Sequence, residues 1–152
     1  MVRNAGQVIS NSSVASLEYA VAVLEVPLIV VLAHDECGAV RAAIDSQGGE
    51  APRLPALIRN HVAGIIPAVR EVGVAAEDGT IDPERTDAAE VGRRHLRNTV
   101  AELMTRSELI AQAIADGSLA LVGAHYRLAE GRAGFDLVIG DVGRPQAGVS
   151  AA

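Results

Sequence analysis

The sequence predicts an α/β fold with a mostly parallel sheet flanked by helices. Three observations carry that reading: an amphipathic helical stretch over residues 11–26, an uninterrupted apolar run over 28–33 directly after Pro27, and two strand-like segments near the end of the chain after a long helical stretch. Helix followed by buried strand is half of a β-α-β unit, the arrangement that parallel strands require.

Each element has its own justification. The opening "MVRNAGQVIS" reads as a short strand that ends at Gly6 and passes into a loop. Asn11, Ser12 and Ser13 are competent helix caps, and Val14, Leu17, Val21 and Leu24 recur at steps of three and four, the stripe of an amphipathic helix. Pro27 ends it. "LIVVLA" is short, β-branched and bounded by proline and "HDE", which predicts a strand covered on both faces. "GAVRAAID" predicts a short helix closed by a loop containing Gly48, Gly49 and Pro52. From Leu54 onward, Leu57, Ile58, Val62, Ile65, Ile66 and Val69 keep helical spacing, with Pro67 kinking or restarting the helix.

"AAEDGTIDPER" is acidic and turn-rich and predicts an exposed connection, with Asp82 as N-cap and Pro83 in the first helical position. Leu96, Val100, Leu103, Ser107, Ile110 and Ile114 then fall on one face of a single long helix that stops near Gly117. "SLALVGAHYRL" and "AGFDLVIG", separated by "AEGR", predict a terminal hairpin. The reading is one domain over residues 1–143 and a flexible tail over 144–152.

Composition narrows the function classes. A chain of 152 residues, 49% hydrophobic, is long enough to bury a core of roughly two thirds of its unfolded surface and is unlike a disordered segment. The aromatic residues are only Tyr19, Tyr126 and Phe135, so the core is aliphatic and no platform for stacking bases is visible. Thirteen basic against nineteen acidic residues give a net charge of −6, and apart from the pair Arg93 and Arg94 the arginines are dispersed, which argues against nucleic acid as a partner. A single cysteine rules out an internal disulfide framework, and no signal-peptide pattern opens the chain, so the cytoplasm is the expected compartment. No apolar run approaches the roughly 20 residues of a membrane span, and no membrane partner is expected.

The residues that could carry chemistry lie in "LIVVLAHDECGAV", where a strand runs into His34, Asp35, Glu36 and the only cysteine, Cys37. Functional groups of open α/β sheets gather at such carboxyl strand ends. On the residues alone three readings stand: a metal pair, a Cys37–His34 nucleophile pair without a visible oxyanion donor, or a buried cysteine beside a hydrogen-bonded histidine. Asp35 and Glu36 could orient His34 or simply be solvated. His61 and His95 read as surface or helix-packing histidines, and His125 as a half-exposed strand position.

"VRNAGQVIS", then "SVASLEYAVAVLEVPLIVVLAHDECGAV", and far downstream "SLALVGAHYRLAEG" resemble, in that order, consecutive blocks of the β-class carbonic anhydrases, over nearly the whole chain and most densely across residues 2–43. The resemblance implies that His34 and Cys37 are two of three zinc-binding protein ligands. It places Arg3, Asn4, Ala5 and Gly6 along the cavity floor and Gly38 beside a small substrate, so that Gly6 and Gly38 become substrate-lining positions. It implies reversible hydration of carbon dioxide to bicarbonate and a proton, a Zn2+ cofactor and a homo-oligomer.

Two departures stand out. Ala33 replaces the glycine usual before the histidine, and the C-x-D-S-R strand that family members carry ahead of "VRNAG" has no counterpart here, nor can the sole cysteine supply it. The resemblance therefore implies an N-terminally truncated representative that lacks one central strand, the first zinc cysteine and the family's Asp-Arg pair, with a misplaced start as one explanation. The isolated chain is expected to be weak or inactive as an enzyme. The alternatives are a non-catalytic α/β interaction module that pairs through a sheet edge, and a metal-free thiol enzyme using Cys37.

Overall fold

The computed structural model describes residues 1–143, so the tail expected over 144–152 lies outside the described residues. The elements run α1 (Asn11–Ala22), β1 (Leu28–His34), α2 (Gly38–Asp45), α3 (Ala56–Val62), α4 (Ile66–Val72), α5 (Ala88–Arg106), α6 (Glu108–Ala115), β2 (Ala120–Arg127) and β3 (Arg132–Ile139). β1 pairs with β2 in parallel, from Leu28 opposite Ala120 to His34 opposite Tyr126. β3 folds back antiparallel on β2, giving the order β1-β2-β3. The sheet is thus mixed: a parallel crossover pair followed by the expected terminal hairpin.

Two apolar clusters hold the helices. Cys37, Val40, Ile44, Val62, Ile65, Val69 and Val91 join α2, α3, α4 and the start of α5. Val14, Ile29, Val100, Leu103, Ile110 and Leu121 join α1, α5, α6 and the sheet. α5 enters both clusters and ties the halves together. Each fully buried Leu, Ile or Val contributes on the order of 1.5–3 kcal/mol relative to exposure.

Several elements differ from expectation. The opening segment is not a strand: residues 1–4 carry no regular structure and Ala5–Gln7 form a 3₁₀ turn with Gly6 at φ +73°. β1 is not covered on both faces, since Ile29 and Ala33 point inward while Leu28, Val30 and Leu32 are 45%, 51% and 51% exposed. Its outer edge has no strand partner among the described residues. An apolar run reports affinity for burial without saying how many faces the chain itself supplies cover for. The cap of α1 is Ser10, which forms a reciprocal capping box with Ser13, rather than Asn11, Ser12 or Ser13. Asp82 caps one tight turn by accepting from the Glu84 and Arg85 amides, and Asp87 caps α5 instead.

The expected single helix over 96–114 is two. Ser107 sits at the break with φ −125° and ψ 100°, and its hydroxyl accepts from the Ile110 amide at 3.1 Å, capping α6. The same hydroxyl donates to Glu18 Oε1 of α1 at 2.7 Å. Serine satisfies both the apolar periodicity, being 1% exposed, and the cap of a new helix, which the periodicity alone does not reveal. Ser107→Ala removes that cap and a buried partner of a carboxylate, so chemical denaturation is expected to show a loss of about 1–2 kcal/mol.

Candidate metal centre

β1 ends at His34, and the chain leaves the sheet through Asp35 and Glu36 before α2 begins. Two hydrogen bonds pin this exit to the end of β2: the Asp35 amide donates to the Tyr126 carbonyl at 3.1 Å, and Asp35 Oδ1 accepts from the Leu128 amide at 3.0 Å. Glu36 then adopts φ +53°, which redirects the backbone so that Cys37 becomes the residue preceding the first turn of α2. Asp35 is therefore a structural tie rather than a solvated loop carboxylate.

The two donors differ in setting. His34 is exposed, and its Nδ1–H donates to the Asp35 carbonyl at 2.7 Å. A carbonyl only accepts, so a proton sits on Nδ1 and Nε2 is the nitrogen left to offer a lone pair, the tautomer a metal-binding imidazole uses. Cys37 is 8% exposed and packs in the first apolar cluster at the amino end of α2, where helix dipole and free amides favour negative charge. A methyl built on Gly38 would meet nothing within 4 Å, so the space beside Cys37 is open.

His34 and Cys37 fit zinc in donor type, and a catalytic zinc takes three protein ligands. Among the described residues no third histidine, cysteine or carboxylate gathers with them into a metal-holding group.

Two of the other three histidines are engaged elsewhere. His61 Nε2–H donates to the Ala5 carbonyl at 2.6 Å, and His95 Nε2–H to the Gly6 carbonyl at 2.7 Å. Successive carbonyls of the 3₁₀ turn are thus held by imidazoles from α3 and α5. Gly6 itself is required: besides its positive φ, a Cβ there would lie 2.8 Å from Ile65 Cδ1 and 3.1 Å from Ala39 Cβ. Asn4 closes the segment by accepting from the Val8 amide and donating to its carbonyl. Sequence reasoning missed this anchoring, because the partners lie 56 and 89 residues away and no local pattern announces them. A cavity of about 550 Å³ lies beside Arg41, Asp78 and Pro83, and one of about 390 Å³ beside Arg93 and His125; neither is lined by His34 or Cys37.

A histidine and a cysteine at the carboxyl end of a parallel strand, with a glycine keeping the next position open, define an α/β protein with a strand-end donor pair. The comparisons specify it further. The family model for carbonic anhydrase matches residues 1–133. A carbonic anhydrase of Mycolicibacterium smegmatis is 42% identical over 147 residues, covering 94% of this chain and 65% of the relative. Carbonic anhydrase 2 of Mycobacterium tuberculosis is 45% identical over 144 residues, again 94% and 65%. The chain therefore spans a little under two thirds of the length of these curated relatives. Among solved structures, a tetrameric β-carbonic anhydrase of Sordaria macrospora superposes with a TM-score of 0.71 at 20% identity, covering 90% of this chain and 68% of that one. A Coccomyxa β-carbonic anhydrase in complex with acetazolamide gives 0.70 at 22%, covering 91% and 61%. The chain belongs to the β-class carbonic anhydrase family.

Burial holds the His95 imidazole below its ordinary value near 6.5, outweighing the Gly6 hydrogen bond and the Glu102 charge, which both favour the cation. Burial, seconded by Arg93, does the same to His125. The unfolded chain takes up these protons as pH drops through about 6.5 and the folded chain does so only lower, so their stabilisation is intact above 6.5 and lost on acidification. Thermal melts from pH 7.5 down to 5 are expected to show a falling Tm, with a shallower slope in His125→Asn.

Proposed function

We propose that this chain carries the His-x-x-Cys half of a zinc centre for the reversible hydration of carbon dioxide to bicarbonate and a proton, a lyase reaction. The observation that carries the reading is the hydrogen bond from His34 Nδ1 to the Asp35 carbonyl, which leaves Nε2 unengaged three residues before Cys37. Family membership and the curated relatives support it. When bound, zinc lowers the pKa of a water to about 7 and so supplies a nucleophile at neutral pH.

The chain's own residues have separate tasks. His34 and Cys37 hold the ion, Asp35 fixes the His34 tautomer through its carbonyl, and Gly38 keeps room for a small linear molecule next to the thiolate. Ala5 and Gly6, clamped by His61 and His95, form a rigid neighbouring turn; the resemblance assigns Gly6 to the substrate cavity. The Asp-Arg pair has no counterpart, and two ligands hold zinc orders of magnitude more weakly than three or four. We place the protein in the cytoplasm, and as a homo-oligomer, the latter reading supported by the tetrameric Sordaria protein of the same fold.

Two experiments test this. Excess cobalt(II) is expected to give a thiolate charge-transfer band that disappears in Cys37→Ser and weakens in His34→Ala, while dialysis against a mild chelator leaves far less than one zinc per chain. Stoichiometric zinc retention would show that further ligands complete the site. In stopped-flow indicator assays the isolated chain is expected to hydrate carbon dioxide near the uncatalysed rate, and an acceleration abolished by His34→Ala would overturn the two-ligand limit.

A second reading, a non-catalytic interaction module, is favoured by the unpaired outer edge of β1 with Leu28, Val30 and Leu32 half exposed. Self-association without metal that is abolished by Val30→Lys would support it.

A further inference from the structure

The cavity of about 390 Å³ at the carboxyl end of β2 is bounded by α5, the hairpin and Asp35 of the loop after β1, and is lined by neither His34 nor Cys37. Its shape follows from two features of β3. His125 faces Gly134 across the ladder, so no side chain covers that flank of the ring, and the register skips Asp136 between the pairs Gly123–Leu137 and Ala124–Phe135. Such a bulge re-aims side chains. Here Asp136 turns toward α5 and is gripped by Arg97 at 2.7 and 3.2 Å, while Phe135 is left 83% exposed on the cavity wall.

The polar groups of the lining do not balance. Asp136 is paired with Arg97, Glu130 with Arg127 at 3.0 Å, and Asp35 accepts from the Leu128 amide. Two groups are left without a partner among the described residues. His125 Nε2 is buried and makes no hydrogen bond. Arg93, one turn into α5, has neither an ion pair nor a hydrogen bond, unlike its neighbours Arg94 and Arg97. A buried ring nitrogen without a partner is costly, and beside an unpaired guanidinium it offers a ready place for an anionic acceptor.

We propose that this cavity is a binding site for a small monocarboxylate with an apolar body. The carboxylate accepts from the Arg93 guanidinium and from His125 Nε2–H, and the apolar body lies against Phe135 and Ala89. One negative charge is what the free guanidinium can match; a second would meet Asp35, Glu130 and Asp136 without a counter-ion, which disfavours dianions. An aromatic body suits the exposed Phe135 ring.

Benzoate is the probe and benzamide, its uncharged isostere, the control, both added to the full chain in chelator so that the result is independent of the zinc reading. In heteronuclear NMR, benzoate is expected to shift the His125 ring and the Phe135 amide saturably and to move the His125 titration to higher pH, because a bound carboxylate favours the imidazolium. Benzamide is expected to do neither. Arg93→Gln, at an exposed position that does not threaten folding, is expected to weaken benzoate at least about tenfold by removing a charge-assisted hydrogen bond, and Phe135→Ser to weaken it several-fold while keeping the charge preference. Equal binding of benzamide, benzoate affinity unchanged in Arg93→Gln, or shifts that never saturate would each overturn the proposal.

Discussion

The parallel pairing of β1 with β2 is the constraint on which the rest of the molecule depends. Antiparallel neighbours can be joined by a tight turn, whereas parallel ones cannot, so the chain between His34 and Ala120 must leave the carboxyl end of one strand and return to the amino end of the next. Five helices fill that crossover. Their packing gives α5 its double role, Val91 in one apolar cluster and Val100 and Leu103 in the other. The same pairing places His34 opposite Tyr126 and brings Asp35 within reach of Tyr126 and Leu128. The donor pair is therefore built on the sheet's rigid end, and its loop is held by β2 as well as by β1.

From that end outward, the polar order of the molecule is set by backbone carbonyls. Asp35 orients His34, Ala5 engages His61, and Gly6 engages His95. Each bond fixes which ring nitrogen carries a proton, and the consequences differ. His61 and His95 spend Nε2 on structure, while His34 spends Nδ1 and keeps Nε2. Three imidazoles that look alike in the sequence are thus separated, by the direction of a single hydrogen bond each, into one that keeps Nε2 unengaged and two clamps. Gly6 belongs to the same logic, because only a residue without a side chain brings its carbonyl under His95 while lying against Ile65 and Ala39.

Much of this was legible in the sequence, and the failures have a common cause. Local chemistry was read well at the α3–α4 break at Pro67 and the hairpin about "AEGR", whereas the helix expected to run to Pro27 ends at Ala22 and His34 closes β1 rather than lying past it. What the sequence concealed depends on partners distant along the chain. The run Leu28–Ala33 is equally apolar whether one face is covered or two, and only the tertiary arrangement reveals that Leu28, Val30 and Leu32 stay half exposed. "VRNA" has the apolar start of a strand but no strand beside it among the described residues, so it has no ladder to join and relaxes into an approach to the 3₁₀ turn. Ser107 obeys the helical period and still ends a helix, because Glu18 from α1 makes the break a satisfied one. His125 read as an ordinary half-exposed strand residue, and its unpartnered nitrogen emerges only once Gly134 and the Asp136 bulge are placed beside it.

Geometry and ligand number make separate demands on any metal site, and the zinc reading of His34 and Cys37 has to answer to both. A metal site assembled from floppy side chains must order them on binding, at a cost of up to about 2 kcal/mol of rotamer freedom for a long one. Here Cys37 is packed in the core at the head of α2, and His34 is turned by a short bond to its neighbour's carbonyl, so much of that ordering is done before any ion arrives. Preorganisation raises the affinity of each ligand that is present but cannot replace one that is absent, because a divalent ion keeps every unfilled position for water and gains nothing there from the fold. His34 and Cys37 therefore enter any metal chemistry with part of their side-chain ordering already done, and the number of further donors sets the rest.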